Sequence, residues 1–305
     1  MTPDAIMPLP TIFPGVRGEV RQDEPMSKHT SWGVGGVASY YFKPQDREDL
    51  AYFLSILPAE IPLLWVGLGS NLLVRDGGFS GAVVCCHGRL SGLEVMTGGR
   101  LYTEAGVACA KVARFSSRAG LRGAEFLAGI PGTVGGALAM NAGAFGGECW
   151  KIVHGVELID RDGRVSRHNA AAFEVGYRSV NLPSGHWFLS ATLGLELGNA
   201  EQGRGRIRSL LTERAVRQPV RRASAGSVFR NPRGDYAARL IDSAGLKGLR
   251  EGDAEVSRQH ANFIVNCGHA SATDIESLIC RVQSRVREQF GVLLEPEVRI
   301  VGERV

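Results

Sequence analysis

The segment from Ala128 to Gly147 constrains the fold of this chain more than any other feature. Its sequence, AGIPGTVGGALAMNAGAFGG, joins glycines and alanines around one proline and leaves the backbone without bulky side chains. Because glycine lacks a Cβ and tolerates left-handed dihedrals, successive N–H groups of such a segment can surround one anionic group. We therefore predict a phosphate-binding loop for a nucleotide cofactor. A glycine-rich packing hairpin or a surface loop is the alternative that this segment alone leaves open.

A second glycine-rich segment lies upstream, where Leu64 to Val74 reads LWVGLGSNLLV. An apolar run that ends in glycines and then resumes predicts a strand, a turn and another strand. A Rossmann fingerprint needs a third glycine that opens a helix, and the residues that follow here favour strands instead. A P-loop needs Gly-Lys-Ser or Gly-Lys-Thr after its glycines, and neither pair occurs. Two phosphate-binding loops are thus expected without either common nucleotide fold.

Composition sets outer limits on the class of protein. The chain has 305 residues, of which 44% are hydrophobic and 22% charged, as in an ordinary globular protein of two or three domains. Its 35 Lys and Arg exceed its 31 Asp and Glu by only four. This charge is too small to require nucleic acid as a partner, although it suits anionic small molecules.

Cysteine usage and the N-terminus indicate the cellular compartment. No two cysteines form a C-x-x-C pair, and most lie in apolar runs, as expected for free buried thiols in a reducing compartment. The N-terminal residues MTPDAIMPLPTIFPG lack a basic leader with an apolar core, and no apolar run approaches the roughly 18 residues of a membrane span. We therefore expect a cytoplasmic monomer with a loose, proline-rich start that binds neither a membrane nor nucleic acid.

Hydrophobic patterning divides the chain into three regions and a returning tail. The first region has a strand at 37–43, a helix at about 46–57 and a strand near Leu63. The second is rich in strands, including a hairpin at 153–168 and a long alternating segment at 187–197, with a helix near 111–119. The third begins with charged helical patterns, one ending before Gln218-Pro219 and another at 273–290 followed by Gly291. The clearest linker lies at 198–205.

Polar motifs in the last third are the most specific signals. They are the serine segment AGSVFRNP at 225–232, AGLKG at 244–248, the run HANFIVN at 260–266 and EPEVR at 295–299. With HTSWGVGG at 29–36, the two glycine segments and Tyr177-Arg178-Ser179, they closely resemble the UDP-N-acetylenolpyruvoylglucosamine reductase family, flavoenzymes of bacterial cell-wall synthesis. The resemblance spans nearly the whole chain, and the segment between Tyr177 and Ser227 resembles the branch that lacks an extra tyrosine-bearing loop.

The resemblance implies an α+β fold with a two-part FAD-binding domain of the vanillyl-alcohol-oxidase type and a C-terminal α/β substrate domain. The first FAD-binding part would comprise residues 1–90 with the tail 292–305, and the second residues 91–200. The substrate domain would comprise residues 201–291. The FAD pyrophosphate would bind to the two glycine segments, at Gly67, Gly69, Ser70, Asn71, Leu72, Gly129, Ile130, Pro131, Gly132, Gly135, Gly136, Asn141 and Gly143.

The resemblance also implies a reaction in which NADPH reduces FAD and the flavin reduces the vinyl ether of an enolpyruvyl group on a UDP-sugar to a lactyl ether. Arg178 would hold the substrate carboxylate, and Glu297 would stabilise growing charge if burial keeps it protonated. Ser227 would protonate the enolate. Tyr177, Arg178, Arg230 and Asn231 are the expected substrate-binding residues. His260 belongs to one of the shared motifs, and no histidine spacing suggests a metal site.

Two other functions stay open at this stage. One is a flavin oxidase on the same scaffold, which would lack the pairing of Ser227 with Glu297 and would not need NADPH. The other is a non-catalytic nucleotide or nucleic-acid binder that uses an arginine cluster early in the third region. Helix-surface arginines are most often solvated, and contact of some of them with the UDP phosphates or the 2′-phosphate of NADPH is the alternative. The cluster comprises Arg204, Arg206, Arg208, Arg214, Arg217, Arg221 and Arg222.

Overall fold

A computed structural model describes residues 13–305, so most of the predicted proline-rich start lies outside the described residues. The strands are β1 Glu19–Pro25, β2 Val37–Lys43, β3 Leu63–Val66, β4 Leu72–Val74, β5 Phe79–Cys85, β6 Leu93–Val95, β7 Arg100–Glu104, β8 Leu121–Arg122, β9 Gly143–Ala144, β10 Gly147–Glu148, β11 Val153–Asp160, β12 Val165–Asn169, β13 Val175–Gly176, β14 Ser179–Val180, β15 His186–Gly194, β16 Glu196–Leu197, β17 Ala223–Ser224, β18 Arg250–Glu251, β19 Ala254–Val256, β20 Ile264–Asn266 and β21 Arg299–Val301. The α-helices are α1 Arg47–Ile56, α2 Cys109–Arg118, α3 Val134–Ala139, α4 Ala200–Arg217, α5 Ala237–Ser243 and α6 Ala272–Phe290. Short 3₁₀ helices cover Met26–His29, Glu125–Gly129, Cys149–Ile152 and Ala170–Ala172.

The first region is a four-stranded sheet in the order β1-β2-β5-β3. Strand β2 matches its predicted range, and α1 begins after Asp46, whose side chain accepts a hydrogen bond from the Asp49 N–H at 2.9 Å. Apolar residues of α1 pack onto the sheet, and the ring of Phe53 stacks on that of Phe42 with centroids 4.0 Å apart. Complete burial of a side chain such as Phe53 stabilises the fold by about 1.5–3 kcal/mol.

The segment 64–74 forms the predicted strand, turn and strand, as β3, a glycine turn and β4. Strand β4 does not join the first sheet. It pairs in parallel with β21, with Leu72 opposite Arg299 and Val74 opposite Val301. The tail of the chain thus returns to the first region and lies directly beside the glycine turn.

The second region is a five-stranded antiparallel sheet in the order β12-β11-β15-β7-β6. The predicted hairpin joins β11 to β12 through a turn in which Gly163 has a φ of +81°, a left-handed dihedral that favours glycine. One face of the sheet packs against α2 and α3 in a core that includes Leu101, Leu158 and Phe188. The glycine-rich segment that begins at Ala128 runs through α3 along this core.

Helix α4 ends at Arg217, directly before the predicted stop at Gln218-Pro219. Its buried Ile207 belongs to the core of the second region. At Gly203 the helix comes so close to α2 that an added Cβ would lie 2.4 Å from the Ser117 Oγ. The prediction of a linker at 198–205 is therefore wrong: α4 begins at Ala200, behind the capping side chain of Asn199, and packs on the second region.

The third region is a four-stranded antiparallel sheet in the order β17-β20-β19-β18. Its longest helix, α6, begins with a capping box between Ser271 and Asp274 and ends at Phe290, where Gly291 caps it with a φ of +68°. Trp32 from the first region is fully buried in this region's core. The Trp32 Nε1 donates to the Ile264 oxygen at 2.8 Å, and the Asn266 Nδ2 donates to the Trp32 oxygen at 3.0 Å. This indole joins the first region to the third.

Among the described residues, no helix is both long and apolar enough to cross a membrane. The six cysteines are free thiols, of which Cys85, Cys86, Cys109 and Cys149 are buried. No group of three or more His, Cys, Asp or Glu side chains in residues 13–305 could hold a metal ion.

Candidate active site

A cavity of about 410 Å³, here called the central cavity, lies where the three regions meet. The structure brings the three predicted catalytic residues together in its wall, since Arg178, Ser227 and Glu297 all line it. They come from a hairpin of the second region, a loop of the third region and the returning tail. Their separation in sequence and convergence in space make this cavity the candidate active site.

Arg178 stands at the turn between β13 and β14, with a φ of +54°. A non-glycine residue in this left-handed region costs about 1–2 kcal/mol, so surrounding contacts must hold it. Its guanidinium provides them, because Nη2 donates to the Gly143 oxygen at 3.1 Å and Nη1 to the Asn141 oxygen at 3.4 Å. The buried Nε has no hydrogen-bond partner among residues 13–305, although it lies 3.2 Å from the Glu297 Oε1. This buried donor faces the carboxyl group without satisfying hydrogen-bond geometry.

Glu297 has a side chain that is only 9% exposed. Burial raises the pKa of this carboxyl above its ordinary value, and the nearby charges of Arg178 and Arg230 only partly oppose the effect. The backbone of Glu297 is fixed on both sides: its N–H donates to the Val228 oxygen at 2.7 Å, and its oxygen accepts from the Asn71 Nδ2 at 3.0 Å. The site therefore holds, in a fixed position, a carboxyl group whose pKa burial raises.

Ser227 lies in a loop that neighbouring segments hold by its backbone. The Gly226 N–H donates to the Ser70 oxygen at 3.1 Å. On the other side the buried Asn262 accepts from the Phe229 N–H at 3.0 Å and donates to the Phe229 oxygen at 2.8 Å. The Ser227 hydroxyl itself makes no hydrogen bond to any part of the chain that the structure describes. The loop is thus rigid while the hydroxyl stays available to a ligand.

The four predicted substrate-binding residues do not all reach the central cavity: Arg178 lines it, whereas Tyr177, Arg230 and Asn231 do not. Arg230 donates from Nη2 to the Arg178 oxygen at 3.3 Å, and its buried Nε has no partner within the described chain. Tyr177 is 52% exposed, and its hydroxyl accepts from the Asn231 N–H at 3.4 Å. The Asn231 side chain accepts from the Ala237 N–H at 3.1 Å, at the start of α5. Arg230 lines the neighbouring cavity described below, whereas Tyr177 is exposed outside both cavities and the Asn231 side chain already has a partner in the fold.

A second cavity, here called the glycine groove, has a volume of about 560 Å³ and shares Arg178 and Glu297 with the central cavity. All five predicted residues of the first glycine segment line it, with Ile130, Gly132 and Gly136 of the second. Gly129, Pro131 and Gly143 line the central cavity instead. The two predicted loops therefore face each other across the groove.

The first loop presents backbone donors to the groove. Within residues 13–305 no hydrogen bond from the N–H groups of residues 68 to 71 is found. Three of the loop's carbonyl oxygens are paired with other segments: that of Gly69 with the Ser31 N–H, that of Ser70 with the Gly226 N–H and that of Asn71 with the Arg299 N–H. Buried or half-buried N–H groups without partners are costly unless a ligand or water accepts from them. These donors suit the oxygens of a pyrophosphate.

Glycine is required in the loops for two different reasons. Gly69 has a φ of +62°, and an added Cβ would lie 2.0 Å from the His29 oxygen, so no other residue fits. At Gly132 and Gly136 the nearest atoms to an added Cβ are 3.6 Å and 3.9 Å away, in ordinary contact or open space. Side chains there would fill the groove rather than clash with the protein. This cradle fits the FAD that the resemblance implies.

Two predicted cofactor residues shape the groove from behind. An added Cβ at Gly135 would lie 3.0 Å from the Ala105 Cβ, so this glycine allows α3 to pack closely. The buried Asn141 has a φ of +44°; its Nδ2 donates to the Gly176 oxygen at 3.0 Å, and its Oδ1 accepts from the Trp150 N–H at 3.2 Å. At Gly135 the space for a side chain is taken by Ala105, and the side chain of Asn141 is already hydrogen-bonded within the fold.

The sequence analysis assigned no role in the site to several residues that line the central cavity. His260 lines it, and burial lowers the pKa of its imidazole, which favours the neutral ring. Glu213 and Gln218 line it from α4 and the residue after it. Of the arginine cluster, Arg214 and Arg217 reach this cavity, whereas Arg204 and Arg208 lie on a separate groove. Asn262 belongs to the HANFIVN motif, and only the structure reveals that its side-chain amide holds the serine loop.

Comparisons with known proteins agree with this geometry. Residues 38–169 match the FAD binding domain family, and residues 218–301 match the family described as UDP-N-acetylenolpyruvoylglucosamine reductase, C-terminal domain. A UDP-N-acetylenolpyruvoylglucosamine reductase from Alkalilimnicola ehrlichii is 54% identical over 286 residues, which cover 94% of this chain and 96% of that protein. The reductase of the same name from Nitrosococcus oceani is 55% identical over 288 residues, covering 94% and 97%.

A solved structure is similar over the same extent. The UDP-N-acetylenolpyruvylglucosamine reductase of Thermus caldophilus superimposes with a TM-score of 0.78 and 36% sequence identity, covering 93% of this chain and 98% of that one. The match to an FAD binding domain and this structure confirm the expected α+β flavoprotein fold. From the identity and coverage of these relatives, the chain belongs to the UDP-N-acetylenolpyruvoylglucosamine reductase family.

Proposed function

We propose that the protein reduces the enolpyruvyl vinyl ether of UDP-N-acetylglucosamine enolpyruvate to UDP-N-acetylmuramate, with FAD as its cofactor and NADPH as the reductant. One observation supports this most: Arg178, Ser227 and Glu297 line a single cavity that shares a wall with a glycine-lined groove. The cavity thus offers a cation, a hydroxyl and a buried carboxyl next to a groove suited to a dinucleotide. The reaction belongs to the synthesis of cell-wall precursors, which supports a cytoplasmic location.

The glycine groove would hold FAD, with the N–H groups of residues 68 to 71 donating to its pyrophosphate. Bound there, FAD supplies the hydride that NADPH provides. Gly132 and Gly136 leave room for close approach of the cofactor to the backbone. The predicted division into residues 1–90 with 292–305, 91–200 and 201–291 is part of this proposal, although α4 packs on the second region.

The substrate carboxylate would bind to Arg178, whose buried Nε has no hydrogen-bond partner within the described residues. Arg230 lines the glycine groove, and its buried Nε also lacks a partner within residues 13–305. It would bind the sugar nucleotide beside the carboxylate, together with Tyr177. A guanidinium that is already fixed by two carbonyl oxygens can hold a carboxylate without further ordering. The two arginines would therefore orient the vinyl ether toward Ser227.

Hydride addition to the vinyl group leaves an enolate whose charge extends into the carboxylate. A protonated Glu297 can donate a hydrogen bond to that charge, and burial favours the protonated form. The Ser227 hydroxyl makes no hydrogen bond to the described part of the chain, so it would be free to give its proton to the enolate carbon. The chain's own residues thus bind the carboxylate, stabilise the charge and deliver the proton.

Anaerobic half-reaction kinetics test this proposal. The purified protein is expected to be yellow, to lose its flavin absorbance when NADPH is added, and to recover it when UDP-N-acetylglucosamine enolpyruvate follows. Mass spectrometry of the product should show UDP-N-acetylmuramate. A reduced flavin that only oxygen reoxidises would identify an oxidase instead, and a protein that cannot take up FAD would end the proposal.

A further inference from the structure

A groove of about 640 Å³ between α2 and α4 shares no residue with the central cavity or the glycine groove. We call it the α2–α4 groove. Its apolar part comes from α4, where Leu211 is 37% exposed and Val216 is 73% exposed, beside Ile207 and Ala215. The groove therefore places two exposed apolar side chains in a recess with a polar rim.

The two helices that form this groove are fixed relative to each other. Gly203 brings α4 against Ser117 of α2, and the Ser117 Oγ donates to the Ala200 oxygen at 3.3 Å. Ile207, on the same helix, is buried in the core of the second region. The groove is therefore a preformed feature of the surface, because neither helix can move without breaking these contacts.

Among the residues that the structure describes, four arginines line the groove and no carboxylate does. Arg114 and Arg118 lie one turn apart on α2, and Arg204 and Arg208 one turn apart on α4. All four are exposed, and within residues 13–305 none of them forms a salt bridge or a side-chain hydrogen bond. The groove thus combines an apolar floor with positive charge that the fold does not neutralise.

This combination determines the chemistry of the occupant. A second copy of the chain meeting groove to groove would bring more guanidinium groups together without adding a carboxylate, which like-charge repulsion disfavours. A flat bilayer surface would meet the arginines on the rim and leave the recess between two helices unfilled. An amphipathic helix fills such a recess with apolar side chains spaced at i, i+3 and i+4.

We propose that the α2–α4 groove docks an acidic amphipathic helix of a partner protein. Leucine-like side chains of that helix would contact Leu211, Ala215 and Val216, and its flanking carboxylates would pair with the four arginines. The docked helix would lie outside the central cavity, so the proposal does not depend on the proposed function.

The test uses the full-length protein with FAD and a fluorescein-labelled peptide of about 18 residues, or five helical turns, with leucines at i, i+3 and i+4 and glutamates beside them. Fluorescence anisotropy should show saturable binding that weakens as salt is added. The double variant Arg114→Glu/Arg208→Glu should weaken binding by at least about tenfold, and so should Val216→Glu. Arg206→Glu is the matched control, because this exposed arginine of the same helix does not line the groove.

The other possible occupants of the groove, and the absence of any occupant, each predict a different experimental result. No saturable binding, equal binding of a peptide with lysine in place of glutamate, or an equal loss with Arg206→Glu would overturn the proposal. So would capture of the protein by phosphatidylglycerol vesicles that Val216→Glu abolishes, or a dimer in sedimentation that the same variant dissociates. Unchanged flavin content and melting temperature in all variants show that they fold, and the half-reactions of the wild type test the proposed function separately.

Discussion

The glycine groove and the central cavity are adjacent, yet one is built from backbone and the other from side chains. The groove offers N–H groups of residues 68 to 71 and glycines that leave space for a ligand. The cavity offers a guanidinium, a hydroxyl and a carboxyl from three distant segments. Carbonyl oxygens hold the guanidinium, and backbone hydrogen bonds hold the segments that carry the hydroxyl and the carboxyl. In the glycine groove, an added side chain should weaken cofactor binding or folding. In the central cavity, removal of a side chain should slow a particular chemical step.

The largest expected effect is that of Ser227→Ala on the oxidative half-reaction. Loss of a proton donor should slow flavin reoxidation by the sugar nucleotide by about 10²–10⁴-fold, and flavin reduction by NADPH should change little. Stopped-flow absorbance measures both steps. Ser224→Ala is the matched control, because the Ser224 hydroxyl donates to the Arg222 oxygen and does not line the central cavity. If Ser227→Ala slowed both half-reactions equally, the serine would not be the donor.

A second prediction concerns Gly69, where backbone conformation and space both exclude a side chain. Gly69→Ala should lower the free energy of unfolding by about 2–5 kcal/mol, from left-handed strain and from the contact with the His29 oxygen. Thermal and denaturant unfolding of the apoprotein measure this loss. In Gly98→Ala, φ is +70° with nothing within 4 Å of the added Cβ, so this control should lose only the strain contribution. Equal losses in the two variants would contradict the close contact.

Gly132→Ala separates cofactor binding from folding. The added Cβ would meet only the Ser70 Oγ at 3.6 Å and the Ile130 Cγ2 at 4.0 Å, so the melting temperature of the apoprotein should stay the same. The methyl group would enter the glycine groove and should weaken FAD binding by about tenfold, or roughly 1.4 kcal/mol. Titration of apoprotein with FAD, followed by flavin fluorescence, gives the dissociation constant. Gly205→Ala on α4, with open space around it, should leave this constant unchanged.

The smallest effect, and one that depends on pH, is expected from Glu297→Gln. Burial raises the pKa of Glu297 above 4.5, so the protonated carboxyl persists above that pH and is lost as pH rises through the raised value. The oxidative half-reaction of the wild type should therefore slow with increasing pH over that range. Glutamine keeps a hydrogen-bond donor at every pH, so the variant should retain the step and lose this decline. A decline that survives in Glu297→Gln would belong to another group.

Local patterns predicted much of the fold. The alternation at Val37–Lys43, the turn that ends at Gly163 and the stop before Pro219 each depend on neighbouring residues, and the structure has strands and helices at these places. Helix α4 shows the limit, because its apolar positions predict a buried face without indicating which region Ile207 packs against.

Local sequence patterns predict less of the site than of the fold. Its residues Arg178, Ser227 and Glu297 came from a family resemblance, because no periodicity relates segments that far apart. The bond from the Asn71 Nδ2 to the Glu297 oxygen joins residues 226 positions apart. The buried Asn262 reads as one polar residue in an apolar run, and its pairing with Phe229 depends on tertiary structure. Contacts of this kind appear only once the sheets are assembled.

The buried indole of Trp32 has a practical consequence for protein engineering. This side chain fills the core of the third region, and its main chain and ring both bond to β20, although it belongs to the first region by sequence. A chimaera that exchanged only the third region between relatives would replace the residues that surround Trp32 and bond to it, while Trp32 itself stayed the same. Modular recombination in this fold should therefore transfer the segment around Trp32 together with the C-terminal module.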